Sequence, residues 1–305
     1  MQPTASKSSP SKHRDPRGDA SAVPRLVTDG EALRQVIVEA RRAGKTVGLV
    51  PTMGALHEGH LTLLDTARAE CDLTVATIFV NPTQFAPTED FRKYPRDLDR
   101  DTNMLGGRGC DIVFAPTEAA MYAPGHTTYV DVGPLGQTLE GEIRPTHFRG
   151  VATIVLKLFQ LAPADRAYFG RKDYQQTIVI RQMVADLNVP IHVRVCPTIR
   201  EPDGLAMSSR NAYLSPDERE RAVSLSRSLK LAERLVSQGE RNADTIRQQM
   251  KREIDSAGGA NVQYIAFVAD GTLTPVERID GPTTVAIAAT VGKTRLIDNT
   301  LLPAN

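Results

Sequence analysis

The chain predicts an α/β fold, a Rossmann-like parallel sheet followed by a smaller α+β domain, on three observations. Between Val47 and Cys196 short β-rich runs alternate with helical patterns. Beyond Cys196 a long capped helix gives way to alternating runs separated by Gly and Pro turns. Between the first two runs a sharp turn leads into His57-Glu-Gly-His60.

The strand candidates are residues 47–50, 73–80, 111–114, 166–169 and 191–195, and their alternation with helices implies parallel pairing through crossovers. Helical spacing groups Leu61, Leu64 and Ala67, then Val151, Ile154, Val155 and Leu158, then Ile178, Met183 and Leu187. Sheets of this kind bind ligands beyond the carboxyl ends of their strands.

The second domain begins near Ile199. Ser215-Pro-Asp-Glu218 is a capping box with proline at the first helical position, followed by Ala222, Leu225, Leu229, Ala232, Leu235 and Val236. A further helix is expected over 244–254. Runs 262–269, 284–290 and 294–299 alternate like antiparallel strands. Domain spans of 25–198 and 199–305 follow. Residues 1–24, rich in Ser, Pro, Lys and Arg, lack the apolar side chains needed to offset their own ordering and read as a disordered tail; acidic residues and prolines there argue against a transit peptide.

At 305 residues with a formal net charge of +1, the chain lacks the basic excess of a nucleic-acid binder. Cys71, Cys110 and Cys196 are odd in number and widely spaced, which indicates neither a disulfide frame nor a zinc ribbon and fits a reducing cytoplasm. No apolar run approaches the roughly 20 residues of a membrane span.

Four clusters carry chemistry. In the first, residues 47–60, a strand delivers a turn at Pro51 and Gly54, and the helix starting near His57 aims backbone N–H groups and its positive dipole end outward, as phosphate sites require. His57 and His60, three apart, share a face; they read equally as an incidental helix start, whereas the i, i+4 spacing of a helical metal pair is absent. The second, Tyr168-Phe-Gly170-Arg171-Lys172-Asp173-Tyr-Gln-Gln176, offers an ammonium for phosphate oxygens and a carboxylate for ribose hydroxyls, or a solvated turn. The third, Asp203 to Asn211, brings Ser208, Ser209 and Arg210 to the start of the second domain, where they would close over a triphosphate or form a bare turn. The fourth, Asn81-Pro-Thr-Gln84-Phe85, presents neutral amides suited to the hydroxyls of a small polyol acid, or a structural loop. Two Gly-rich signals fail: residues 106–109 precede a strand that a dinucleotide loop must follow, and residues 292–294 lack the first glycine of a Walker loop.

With these residues in view, the chain resembles the pantothenate synthetases (pantoate:β-alanine ligases), of the superfamily with HIGH-type and KMSKS-type motifs. His57-Glu-Gly-His60 and Met207-Ser-Ser-Arg210 match those motifs. PTMGALHEGH at 51–60, VNPTQF at 80–85, RPTHFRGV at 144–151, KDYQQ at 172–176, DGLAMSSRN at 203–211 and TRLIDN at 294–299 complete the match. The resemblance implies an ATP site of Met53, Gly54, Ala55, Leu56, His57, Glu58, Gly59, His60, Gly170, Arg171, Lys172, Asp173, Ile199, Met207, Ser208, Ser209 and Arg210. His57, His60, Lys172 and Arg210 would be catalytic, His60 as the acid, while Gln84 and Gln176, with Asn81 beside them, would hold pantoate. It also implies magnesium with ATP, a homodimer, and a pantoyl adenylate opened by β-alanine. Arg171 stands where the family usually has Glu, reversing a charge beside Lys172. Other nucleotidyl transferases, a tRNA synthetase fragment and an ATP sensor are the rival readings, and pantoate-dependent pyrophosphate release separates them from the ligase.

Overall fold

The computed structural model describes residues 23–86 and 91–302, so the tail expected over 1–24 lies outside them up to residue 22. In chain order the first half comprises β1 (Arg25–Val27), α1 (Gly30–Arg42), β2 (Val47–Thr52), α2 (Glu58–Glu70), β3 (Leu73–Ile78), α3 (Leu98–Gly107) and β4 (Ile112–Phe114). Then follow α4 (Glu118–Met121), α5 (Glu140–Ile143), α6 (His147–Leu161), β5 (Arg166–Gly170), α7 (Tyr174–Asp186) and β6 (His192–Cys196). The remainder is α8 (Pro216–Ser237), α9 (Ala243–Ala257), β7 (Ala260–Ala269), β8 (Thr283–Val291) and β9 (Thr294–Leu302).

All five strands expected before residue 197 form, and β1, too short to show a period, joins them in one parallel sheet of order β1-β4-β3-β2-β5-β6. Alternation of side chains across each strand divides the core. Leu49, Val75, Phe114 and Phe169 face a layer containing Leu33 and Ile37 of α1, Val151 and Val155 of α6, and Ile180 of α7. Their neighbours turn the other way: Val50 and Tyr168 meet Leu63 and Ala67 of α2, and Ala76 and Val113 meet Leu61 and Leu64. Burial on both faces is why the strands read as near-continuous apolar runs.

The order reverses between β2 and β5. From β2 the chain builds outward through β3 and β4, and β5 returns to the other side of β2, pairing Gly48 with Arg166 and Leu49 with Ala167. Two loops therefore diverge from adjacent strand ends and leave a crevice between them.

The second half has its own core, in which Leu225, Leu229 and Val236 of α8 and Ile246 and Met250 of α9 cover Ile265, Val285 and Ile287 of the antiparallel sheet β7-β8-β9. The capping box forms as read: Glu218 N donates to Ser215 Oγ at 3.3 Å and Ser215 N to the Glu218 carboxylate at 2.9 Å.

One close approach fixes the fourth cluster. Gly150 of α6 packs so tightly on the turn at residues 82–84 that a Cβ would stand 2.3 Å from Thr83 O and 2.7 Å from Gln84 N. Backbone cannot yield as a side-chain tip can. Gly150→Ala is expected to destabilise the fold by about 1–3 kcal/mol and to raise the concentration of acid substrate needed for half-maximal rate, read by thermal melts and steady-state kinetics.

Candidate active site

The crevice opens into a cleft of about 1610 Å³, above the roughly 300–1,000 Å³ of a single-ligand pocket, so it admits a nucleotide and smaller molecules together. Its first wall is the turn after β2. Thr52 Oγ1 donates to Thr77 O at 2.5 Å and accepts from Gly54 N at 3.2 Å. Ala55 then adopts a left-handed φ of 50°, which turns its own N–H and that of Leu56 onto the two oxygens of Asp101, at 2.7 and 2.9 Å. Asp101 is 1% exposed. The N–H groups of Ala55 and Leu56, which the resemblance places in the ATP site, are thus already used, and Gly54, Ala55 and Leu56 do not line the cleft. Glu58 does not line the cleft either, and its carboxylate pairs with Arg108 at 2.5 Å. Met53, His57, Gly59 and His60 do line it.

His57 caps α2. Its Nδ1 accepts from Gly59 N at 3.2 Å, His60 Nδ1 accepts from His57 N at 3.4 Å, and the rings lie 4.1 Å apart. With both Nδ1 atoms accepting, each neutral ring carries its proton on Nε2. Burial, reinforced by the Lys172 ammonium, pushes His57 down to about 4; burial, reinforced by His57, pushes His60 down to about 3. At neutral pH the pair offers N–H donors to an anion, and the free protein holds no second proton on His60 for acid catalysis.

The second wall follows β5. Lys172 Nζ lies 3.5 Å from Asp173 Oδ1. Burial opposes ionisation of Asp173, but Lys172, with Arg210 and His147 beyond it, holds the carboxyl below its usual range. Solvent still reaches 45% of that side chain, so the carboxylate can accept from a ligand. Arg171 does not share this wall. Its guanidinium leaves the cleft for Asp270 at 2.7 Å and Thr284 Oγ1 at 2.8 Å and lies over the Tyr174 ring. The Arg171 charge is thus neutralised in the second half of the chain, away from Lys172.

The third wall is the loop after Ile199. Arg200 and Ala206 form a bridge, Met207 N donates to Ile199 O at 2.9 Å, and Asn211 Nδ2 donates to Glu201 at 2.8 Å and to Ala206 O at 3.0 Å. Ser208 then caps the turn through Arg210 N, and Ser209 Oγ lies 3.4 Å from Tyr94 OH. Ile199, Met207, Ser208, Ser209 and Arg210 all line the cleft.

Gln84 and Gln176 line it too, but Asn81 plays another part. Its Nδ2 donates to Gln84 Oε1 and Gly150 O, both at 3.1 Å, while its Oδ1 accepts from Tyr122 OH at 2.8 Å and Thr83 Oγ1 at 3.0 Å. Every bonding position of this amide is filled within the protein, and one of its donors goes to Gln84 Oε1. Sequence reading passed over Arg144 and His147, which bind Gln84 O at 3.2 and 3.0 Å on the cleft wall, although the RPTHFRGV stretch was in view. It also passed over Asp101, an acid in the first turn of a helix with no local mark of its partners.

A nucleotide-binding α/β enzyme with a HIGH-type turn, a lysine loop and a serine–arginine loop around one crevice is the class these features define. The chain belongs to the pantoate-beta-alanine ligase family, whose profile matches residues 25–301. It is 52% identical over 274 residues to a pantothenate synthetase of Moorella thermoacetica, covering 90% of this chain and 97% of that one. Against a pantothenate synthetase of Thermotoga petrophila it is 50% identical over 278 residues, covering 91% and 99%. The crystal structure of pantothenate synthetase from Thermus thermophilus superposes with a TM-score of 0.84 at 44% identity, covering 90% of this chain and 98% of that one. Pantoate-beta-alanine ligase from Francisella tularensis, complexed with beta-gamma ATP and beta-alanine, superposes with a TM-score of 0.76 at 33% identity, covering 91% and 97%.

The histidines supply a pH test. Because their folded-state values lie below that of free imidazole, the unfolded chain binds protons more readily, and stability falls as pH drops from about 6.5 to about 4 for His57 and about 3 for His60. Nitrogen-15 NMR of the free protein at pH 6 is expected to show both rings neutral and protonated on Nε2; a midpoint near 6.5 for either ring contradicts this.

Proposed function

We propose that this enzyme joins pantoate to β-alanine at the expense of ATP, through a pantoyl adenylate, within this cleft. The observation that carries the reading is the meeting of His57 and His60, Lys172, and Ser208 to Arg210 around one space beside Gln84 and Gln176. The match to the ligase family and the ATP- and beta-alanine-bound relative supports it.

A carboxylate resists amines because its leaving group would be oxide. In the first step a pantoate carboxylate oxygen bonds to the α-phosphorus of ATP, the bond to the β-phosphate oxygen breaks, and pyrophosphate departs. Negative charge grows on phosphate oxygens, where the Lys172 ammonium, the Arg210 guanidinium and the two imidazole N–H groups stabilise it and the hydroxyls of Ser208 and Ser209 orient the leaving group. Gln84 and Gln176 would hold the pantoate oxygens. In the second step the β-alanine nitrogen bonds to the acyl carbon, AMP leaves, and the nitrogen gives up a proton. The adenylate is open to hydrolysis, so a cleft walled by both halves of the chain serves it by limiting water.

Among the described residues no group of three or more His, Cys, Asp or Glu side chains comes together as a metal site. The residues thus form no cage for magnesium, which we take to arrive with ATP as the substrate complex, held mainly by phosphates and water. We further propose functional units of 25–198 and 199–305, supported by their separate cores, a cytoplasmic homodimer, consistent with three free, buried cysteines and with the family resemblance, and small molecules rather than nucleic acid as partners.

Pyrophosphate release from ATP is expected to require pantoate alone, and AMP and the amide to appear only after β-alanine is added. Release that ignores pantoate contradicts the reading. Lys172→Ala is expected to slow the first step by about 10²- to 10³-fold; turnover within threefold of the parent removes Lys172 from the chemistry. Gln84→Ala is expected to weaken pantoate use while ATP binding persists, as measured by calorimetry with each ligand separately.

A further inference from the structure

We infer that the adjacent residues Asp298 and Asn299 of β9 form a bracket joining the lysine loop to the serine–arginine loop, with Asn299 acting as the positioning residue for Lys172. The inference deepens the proposed ATP site and rests on it.

Asn299 is 3% exposed, and its Nδ2 donates to two consecutive carbonyls of the lysine loop, Arg171 O at 3.0 Å and Lys172 O at 2.9 Å. That loop is a single turn with no side-chain cap of its own, so Asn299 supplies restraint that the local sequence does not. The amide has one workable orientation, since rotating it by half a turn would press Oδ1 against both carbonyl oxygens. Among the described residues its Oδ1 then has no hydrogen-bond partner, although it is buried beside the cleft. An orphaned buried acceptor is costly, so simple packing does not account for an amide at this position. Serving the two loop carbonyls does.

Asp298 points to the opposite face of the strand. It takes Arg200 in a two-pronged pair at 2.6 and 3.1 Å, and Arg200 adjoins Ile199 and bridges to Ala206 at the root of the serine–arginine loop. Asn299 N closes onto Asp298 Oδ1 at 2.7 Å. Both residues sit in register with β8, Asp298 opposite Ile287 and Asn299 opposite Ala286, so the bracket is as stiff as the sheet. One dipeptide thereby sets the separation of two phosphate-facing segments that lie far apart in the chain.

The test uses Asn299→Asp, which keeps the side-chain shape but loses both donors, with Asn299→Ala as a second route should the first variant fail to fold, and circular dichroism as the check on folding. Pantoate-dependent pyrophosphate release is expected to fall about 10- to 100-fold, the scale of an ångström-sized misplacement. Opening of synthetic pantoyl adenylate by β-alanine is expected to stay within threefold, a split that a general loss of structure would not produce. In a Lys172→Ala background, adding Asn299→Asp is expected to cost less than twofold, because a residue acting through Lys172 has nothing left to position. Full additivity, equal loss in both steps, or an unchanged rate for a folded Asn299 variant overturns the bracket. An unchanged rate for Lys172→Ala alone sinks the underlying ATP-site reading instead, so the two failures are distinguishable.

Discussion

The cleft depends first on two adjacent parallel strands whose following loops diverge, so that segments far apart in the sequence come to share one crevice. Here the strands are β2 and β5. Leu49 and Ala167, paired across the sheet and both buried, fix their register from within, and the HIGH-type turn and the lysine loop emerge side by side at the carboxyl ends. Remove that adjacency and neither His57 nor Lys172 retains a common target.

The second half of the chain completes the site by touching the first at charged and polar points around a small apolar cluster of Tyr174, Ile178 and Val268. Arg295 pairs with Glu140, which also accepts from Tyr264 OH at 2.7 Å; Arg171 pairs with Asp270; and Tyr174 OH donates to Thr272 O at 3.0 Å. Glu140 is only 6% exposed, and although burial opposes its charge, Arg295 holds its carboxyl below the usual range. Partly buried pairs of this kind add little net stability, but each demands a particular geometry, because a lost partner strands a charge. They serve as locators. Beside an apolar contact that could slide, such pairs favour a single register, which suits a site whose groups must act on one triphosphate.

What could be read from sequence was whatever repeats or punctuates locally. The short β-rich runs that hold Leu49 and Val50, and Ala167 and Tyr168, marked strands, and Ser215 with Glu218 marked the start of α8. The segments that line the cleft were visible as unusual clusters at strand ends and gained their assignment from resemblance. Long-range pairing was invisible: nothing near Asp101 announces that its carboxylate holds Ala55 and Leu56, and nothing in VNPTQF shows that Asn81 uses up its bonding capacity on Gly150, Tyr122, Thr83 and Gln84. The partners of Arg171, Asp270 and Thr284, likewise lie roughly a hundred residues further along the chain. Protonation was equally hidden, since the neutral state of His57 and His60 depends on burial and on Lys172 rather than on their spacing.

The central claim is that groups from the turn after β2, the loop after β5 and the loop after Ile199 act on one triphosphate. A crystal structure with a non-hydrolysable ATP analogue tests it most directly. Lys172 Nζ, the Arg210 guanidinium and at least one of the imidazole Nε2 atoms are expected within hydrogen-bond distance of phosphate oxygens of the same nucleotide. A nucleotide bound with Lys172 and Arg210 on separate molecules, or with neither touching phosphate, contradicts it.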